Sequence, residues 1–111
     1  ILITKEEVKR DFIYIDDVVS AFYKAMKTKM NKGEIINIGT GKQYSNKEVV
    51  KEIEKILKLK LKLETFPKRA WDTNNWVANN KKARKILKWN PENSIEQGLR
   101  KTIEWQIKNV L

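Results

Sequence analysis

The chain has 111 residues, enough for one domain with a real core, and 24 Lys and Arg against 14 Asp and Glu give it a formal net charge of +10. Apolar residues make up 41% and charged residues 34%, which excludes intrinsic disorder, and no apolar run approaches the ~20 residues that span a bilayer. With no Cys and no His, thiolate and imidazole chemistry are excluded, and so is any metal site built from those ligands.

In chain order, Phe12-Ile13-Tyr14-Ile15 is aromatic and β-branched and predicts a strand. A helix follows, with Asp17 as its N-cap and Val18, Ala21, Phe22, Ala25 and Met26 on one face. Asn31-Lys32-Gly33 ends it, Gly33 suiting the left-handed position. Glu34 to Ile38 predicts a second strand, whose Ile35-Ile36-Asn37-Ile38 is nearly all apolar, as in a strand covered on both faces. Gly39-Thr40-Gly41 reads as a turn, and Ser45-Asn46-Lys47-Glu48 has the form of a capping box that opens the next helix. From Lys58 to Leu63, Lys and Leu alternate, the period of an edge strand whose lysines discourage aggregation. Phe66 to Val77 is an irregular loop with Arg69, Trp71, Asp72 and Trp76. Asn79 or Asn80 caps a short helix carrying Ala83, Ile86 and Leu87, and Ser94-Ile95-Glu96-Gln97 opens the last helix with a second capping box. The order β-α-β-α-β-loop-α-α makes the fold class mixed α/β, with short strands and about four helices. Ile1-Leu2-Ile3 is too short for a signal-peptide core, so the expected location is cytoplasmic.

Two local patterns imitate chemistry. Tyr23 and Lys27 match Tyr-x-x-x-Lys, in which a nearby ammonium lowers the pKa of a phenol. Tyr23 follows no cofactor-binding unit, and in a lysine-rich chain the match reads as coincidence. Gly39-Thr40-Gly41, between a strand and a helix, resembles the start of a dinucleotide fingerprint, but Tyr44 stands where the third glycine belongs. The lysines are spread along the chain and read as surface solvation. A rival reading, a free-standing basic module for nucleic acid, would use Trp71, Trp76 and Tyr44 as stacking platforms, yet no helix-turn-helix, RNP or zinc motif supports it.

Taken together, the segments resemble one family. Arg10-Asp11-Phe12-Ile13-Tyr14-Ile15-Asp16-Asp17-Val18 is similar to the Arg-Asp-Phe-Val-Tyr-Val-x-Asp-Val segment of the extended short-chain dehydrogenases, the NAD-dependent nucleotide-sugar epimerases and dehydratases. Ile36-Asn37-Ile38-Gly39-Thr40-Gly41 resembles their Tyr-Asn-Val-Gly-Thr-Gly, and Arg69-Ala70-Trp71-Asp72 their Arg-x-Gly-Asp, with Trp71 replacing the glycine. Ala78-Asn79-Asn80-Lys81-Lys82-Ala83 looks like Ala-Asp-x-Ser-Lys-Ala, and Ile86-Leu87-Lys88-Trp89-Asn90-Pro91 like Leu-Leu-Gly-Trp-x-Pro. Order and spacing hold from Arg10 to Trp105.

The resemblance implies that the chain is the C-terminal, substrate-side part of a Rossmann-type enzyme. The dinucleotide-binding half, with NAD and the catalytic Tyr-x-x-x-Lys, would precede residues 1–111. Arg10 and Arg69 would hold the diphosphate of a nucleotide sugar, with Asp72 toward the nucleoside. No catalytic, cofactor-binding or metal-binding residue is expected within this chain. Alone it is expected to be inactive, to bind no NAD, and to form a homodimer through the helix face that the other half would cover. In the complete enzyme the resemblance implies transient hydride transfer from sugar to NAD.

Overall fold

The computed structural model describes residues 2–4 and 7–110. Its strands are β1 (Leu2–Thr4), β2 (Lys9–Arg10), β3 (Tyr44–Ser45), β4 (Glu64–Phe66) and β5 (Asn75–Trp76). Its helices are α1 (Ile15–Lys27), α2 (Asn46–Leu57), α3 (Lys81–Leu87) and α4 (Ile95–Asn109). The fold is mixed α/β, as its residue patterns predict. β1 pairs with β4 in parallel. β2 lies between β3, antiparallel, and β5, parallel.

Helix α1 starts earlier than its sequence suggests. Tyr14 is the N-cap, and Asp17 sits inside the first turn, buried. The Asp17 carboxylate instead accepts from the Glu92 amide at 2.9 Å, the Asn93 amide at 3.2 Å and Asn93 Nδ2 at 3.1 Å. It ties α1 to the segment leading into α4, so its lone pairs are spent across the fold and not on the helix end. The α1 helix also ends sooner, at Lys27, and Gly33 with φ +78° serves the turn after it, closed by the Glu34 amide on Asn31 O at 3.2 Å.

Three predicted strands are replaced. Residues 12–14 join no ladder, because the Ala78 amide that would extend β2–β5 donates to the Asp11 carboxylate. Residues 34–38 run without a ladder among the described residues, yet side chains alternate: Ile36 and Ile38 pack on the core while Ile35 and Asn37 face outward. From Lys58 to Leu63, the chain leaves α2 through a left-handed Lys58, φ 54°, and the Leu61 amide is taken by the Glu54 carboxylate at 2.9 Å. The strand begins only at Glu64.

Both predicted capping boxes form, at Ser45 with Glu48 and at Ser94 with Gln97. Asn80 is the α3 N-cap by position, but Asn79 Oδ1 supplies the acceptor, taking the Lys81 amide at 3.2 Å, while Asn80 Nδ2 donates to Gly39 O. The core gathers Ala21, Ala83, Leu87 and Trp89, with Ile13, Ala25, Met30, Ile36, Ile38 and Ile86 against it. No helix among the described residues is long and apolar enough to cross a membrane.

Candidate functional site

The β2–β5 register decides which functional side chains meet. Lys9 lies opposite Asn75 and Arg10 opposite Trp76. That register brings the Arg10 guanidinium to 5.9 Å from the Trp76 ring centroid, within reach of a cation–π contact. Arg10 Nη1 donates to Thr73 O at 2.9 Å and to Lys9 O at 2.8 Å, while Nη2 lies 3.6 Å from Asp72 Oδ1. A part-exposed pair of this kind adds under about 1 kcal/mol to stability. Its effect is to aim the guanidinium, whose fork carries five donors and is left with some to spare.

Asp72 also closes the turn that presents Arg69. Its amide donates to Arg69 O at 3.0 Å, and its Oδ2 accepts from the Arg69 amide at 3.3 Å. The structure thus links Arg10 to Asp72 through their side chains and Asp72 to the Arg69 backbone, in the segment that leads into β5. The Arg69 guanidinium is exposed and carries no ion pair among the described residues. Trp71, in place of glycine, fills no pocket: it is 76% exposed at an ordinary turn position with no positive φ, so the departure leaves the turn intact. Trp76 is 64% exposed.

Two residues outside the sequence-derived set belong to this edge. Trp76 joins through the β2–β5 pairing, which two-residue strands do not announce. Asp11 stands behind Arg10 and accepts from the amides of Thr40, Gly41 and Ala78. Its visible signal is its place beside Arg10 in the Arg-Asp-Phe motif.

The two imitation motifs resolve differently. Tyr23 and Lys27 do touch, Lys27 Nζ donating to the phenol oxygen, but on the exposed face of α1. Gly39-Thr40-Gly41 does cradle an anion, and that anion is the Asp11 carboxylate. The amides that a pyrophosphate would need are already spent, so this turn does not fit NAD. Among the described residues no cluster of acidic groups is placed to hold a metal ion.

This arrangement, an α/β chain with the ordered Arg-Asp-Phe, Gly-Thr-Gly and Arg-x-x-Asp segments, matches part of the extended short-chain dehydrogenase family, to which nucleotide-sugar epimerases and dehydratases belong. The chain belongs to the GDP-mannose 4,6-dehydratase family, whose sequence model matches residues 2–102. It is 36% identical over 102 residues to a UDP-glucuronate 4-epimerase of Thermodesulfobacterium geofontis, a match covering 91% of this chain and 31% of that protein. In structure it is similar to the UDP-glucose 4-epimerase of Thermotoga maritima, solved with UDP-glucose, at a TM-score of 0.90 and 32% identity, covering 100% of this chain and 36% of the other. The UDP-glucuronic acid 4-epimerase of Bacillus cereus, solved with UDP-glucuronic acid and NAD, gives a TM-score of 0.87 at 28% identity, covering 96% and 34%. The chain therefore spans about a third of the length of these relatives.

Proposed function

We propose that the chain is the substrate-side segment of an NAD-dependent nucleotide-sugar epimerase or dehydratase, in which Arg10 and Arg69 grip the diphosphate and Asp72 faces the nucleoside. The observation that carries this reading is that Asp72 meets the Arg10 guanidinium and the Arg69 backbone at once, with Arg10 aimed by Asp72 and Thr73 and the Arg69 side chain exposed without an ion pair among the described residues. Guanidinium forks suit phosphate oxygens because two parallel N–H donors match two oxygens of the anion. Oxidation and reduction of the sugar belong, in this reading, to the part of the enzyme that holds NAD, joined ahead of residue 1. The α1 face outside the core is where that part would pack.

Magnitudes agree with a shared task. A charge-assisted hydrogen bond contributes about 1.5–3 kcal/mol, so two arginines supply roughly 3–6 kcal/mol. A Kd of 1 mM already needs about 4 kcal/mol, and binding must also offset lost rotational and translational freedom, so these two arginines alone hold the ligand weakly.

The test is a nuclear magnetic resonance titration of the chain with UDP-glucose, UDP and glucose. UDP-glucose and UDP are expected to shift the signals of Arg10, Arg69 and the Trp76 indole at millimolar concentration, and glucose is not. Arg10→Ala and Arg69→Ala should each weaken UDP binding by about tenfold, the loss of one charge-assisted bond. An absence of shifts at these residues with UDP in large excess removes the assignment.

A further inference from the structure

The Gly39-Thr40-Gly41 turn has the look of a phosphate loop and an internal occupant. The Thr40 amide donates to Asp11 Oδ1 at 2.9 Å, and the Thr40 hydroxyl donates to the same oxygen. The Gly41 amide donates to Oδ2 at 2.9 Å and the Ala78 amide to Oδ2 at 3.1 Å. An ionised carboxylate offers about four acceptor positions, so four donors saturate it. Successive backbone amides curved around an anion form a nest, and Asp11 is the anion of this one. Glycine is needed for the approach: a Cβ on Gly39 would stand 2.3 Å from Ala78 Cβ and 2.8 Å from Asp11 Oδ2. Gly41 holds φ +76°, a conformation that L side chains rarely adopt.

We propose that Asp11 is the positioning residue for Arg10, clamping the strand that carries the guanidinium to the strand it reaches across; this rests on the reading of Arg10 as a diphosphate ligand. Asp11 is the next residue after Arg10, and Ala78 lies two residues beyond Trp76, the strand partner of Arg10. Because side chains alternate along a strand, a slip of one residue would turn Arg10 to the opposite face of the sheet. The two-residue pairing of β2 with β5 is too short to hold that register on backbone bonds alone. The carboxylate supplies the missing constraint from three chain segments at once: the Arg10 strand, the Gly-Thr-Gly turn, and the exit of β5. The motif that imitates cofactor recognition thus has a use in substrate recognition.

Asp11→Asn in the 111-residue chain keeps the shape of the side chain but presents one acceptor oxygen and an NH2 group to four donors. The readout is the nuclear Overhauser contact between the Arg10 side chain and the Trp76 indole, followed together with the affinity for UDP-glucose. The contact is expected to disappear and the Kd to rise about tenfold, while α2 and α4 backbone signals stay in place. A retained contact, or an affinity within about twofold of the original, overturns the proposal. Arg10→Ala, measured alongside, separates the two levels. If it leaves UDP-glucose affinity unchanged, the diphosphate reading falls; if it weakens binding where Asp11→Asn does not, only the positioning role falls. Should Asp11→Asn unfold the chain, Thr40→Val withdraws a single donor from the same carboxylate. It is expected to loosen the Arg10–Trp76 contact and weaken binding about two- to threefold, and an unchanged contact then overturns the proposal.

Discussion

Trp89 shows how a single side chain joins distant parts of this molecule. It is 1% exposed, and its indole N–H is shared between Ser20 Oγ at 2.8 Å and Asp17 O at 3.1 Å. The ring fills the space among Ala21, Ala83 and Leu87, where the neighbours are too small to collapse into a vacancy. Trp89→Ala is therefore expected to destabilise the chain by about 3–5 kcal/mol, read as a lower urea midpoint. Trp89→Phe keeps most of the volume and loses the donor, for a smaller cost of about 1–3 kcal/mol. Equal losses in the two variants would mean that the hydrogen bonds, and not the packing, dominate. Tyr23 is the counter-example at the same scale. It is exposed on α1, where its phenol meets the Lys27 ammonium, so Tyr23→Phe should leave both the urea midpoint and the UDP-glucose titration unchanged. A loss of ligand affinity in that variant would return Tyr23 to the site.

Among the elements, the helices announce themselves and the strands do not. The two capping boxes are local patterns in which Ser and its partner stand three residues apart, so sequence alone locates the starts of α2 and α4. A strand is defined by its partner, and β2 and β5 lie more than sixty residues apart, each two residues long. Nothing local marks them, whereas the aromatic and β-branched run from Phe12 to Ile15 carries strand propensity without a partner to pair with. The same distance hides the acceptors Asp11 and Asp17, whose donors come from as far as Ala78 and Asn93. The proposed site residues Arg10, Arg69 and Asp72 stand out through family spacing; the contact between Arg10 and Asp72 does not, because it depends on that strand register. The α2 cap carries an element-scale prediction. Glu48 accepts the Ser45 amide at 2.7 Å, and this bond to the charged form, with a further contribution from the Ser45 side chain, holds its carboxyl below the ordinary range. A depressed folded value means that the ionised form favours folding. Its contribution is complete above the unfolded value of about 4.3 and fades as the pH falls through the folded value. The urea midpoint should therefore drop below about pH 4.3, less steeply in Glu48→Gln than in the parent chain. Ser45→Ala removes the reciprocal acceptor at a cost of about 1 kcal/mol at neutral pH. An identical acid slope in Glu48→Gln would show that other carboxylates govern the transition.

On the scale of the whole molecule, α1 presents two apolar faces, and only one is satisfied. Ala21 is buried and Ala25 packs on the core, but Ile15, Val19, Phe22 and Met26 recur at helical spacing along the outer side. Phe22 is 68% exposed and Met26 79% exposed, and Ile35 on the neighbouring extended segment is 79% exposed. Scattered exposed apolar residues are ordinary, whereas a continuous stripe marks a surface that another body covers. In the proposed enzyme the NAD-holding part supplies that cover, and in the isolated chain a second copy is the available substitute. A stripe of several hundred Å², at ~25 cal/mol per Å², favours association by several kcal/mol before rotational and translational costs. That area falls short of the ~1,600 Å² total of a stable interface, and the +10 charge opposes approach within about a Debye length, ~8 Å at physiological salt. The expected outcome is a weak, reversible dimer that tightens as salt is raised, since screening removes repulsion and leaves the apolar gain. Sedimentation across protein and salt concentration measures it. Phe22→Asp with Met26→Lys should give a monomer at every concentration without lowering the urea midpoint, because both side chains lie outside the core. The same chain should not respond to NAD, the Thr40 and Gly41 amides being filled by Asp11. A parent chain that stays monomeric at high salt would show that the stripe is too small or too curved to pair with itself, and saturable NAD binding would place a cofactor site that the Asp11 nest argues against.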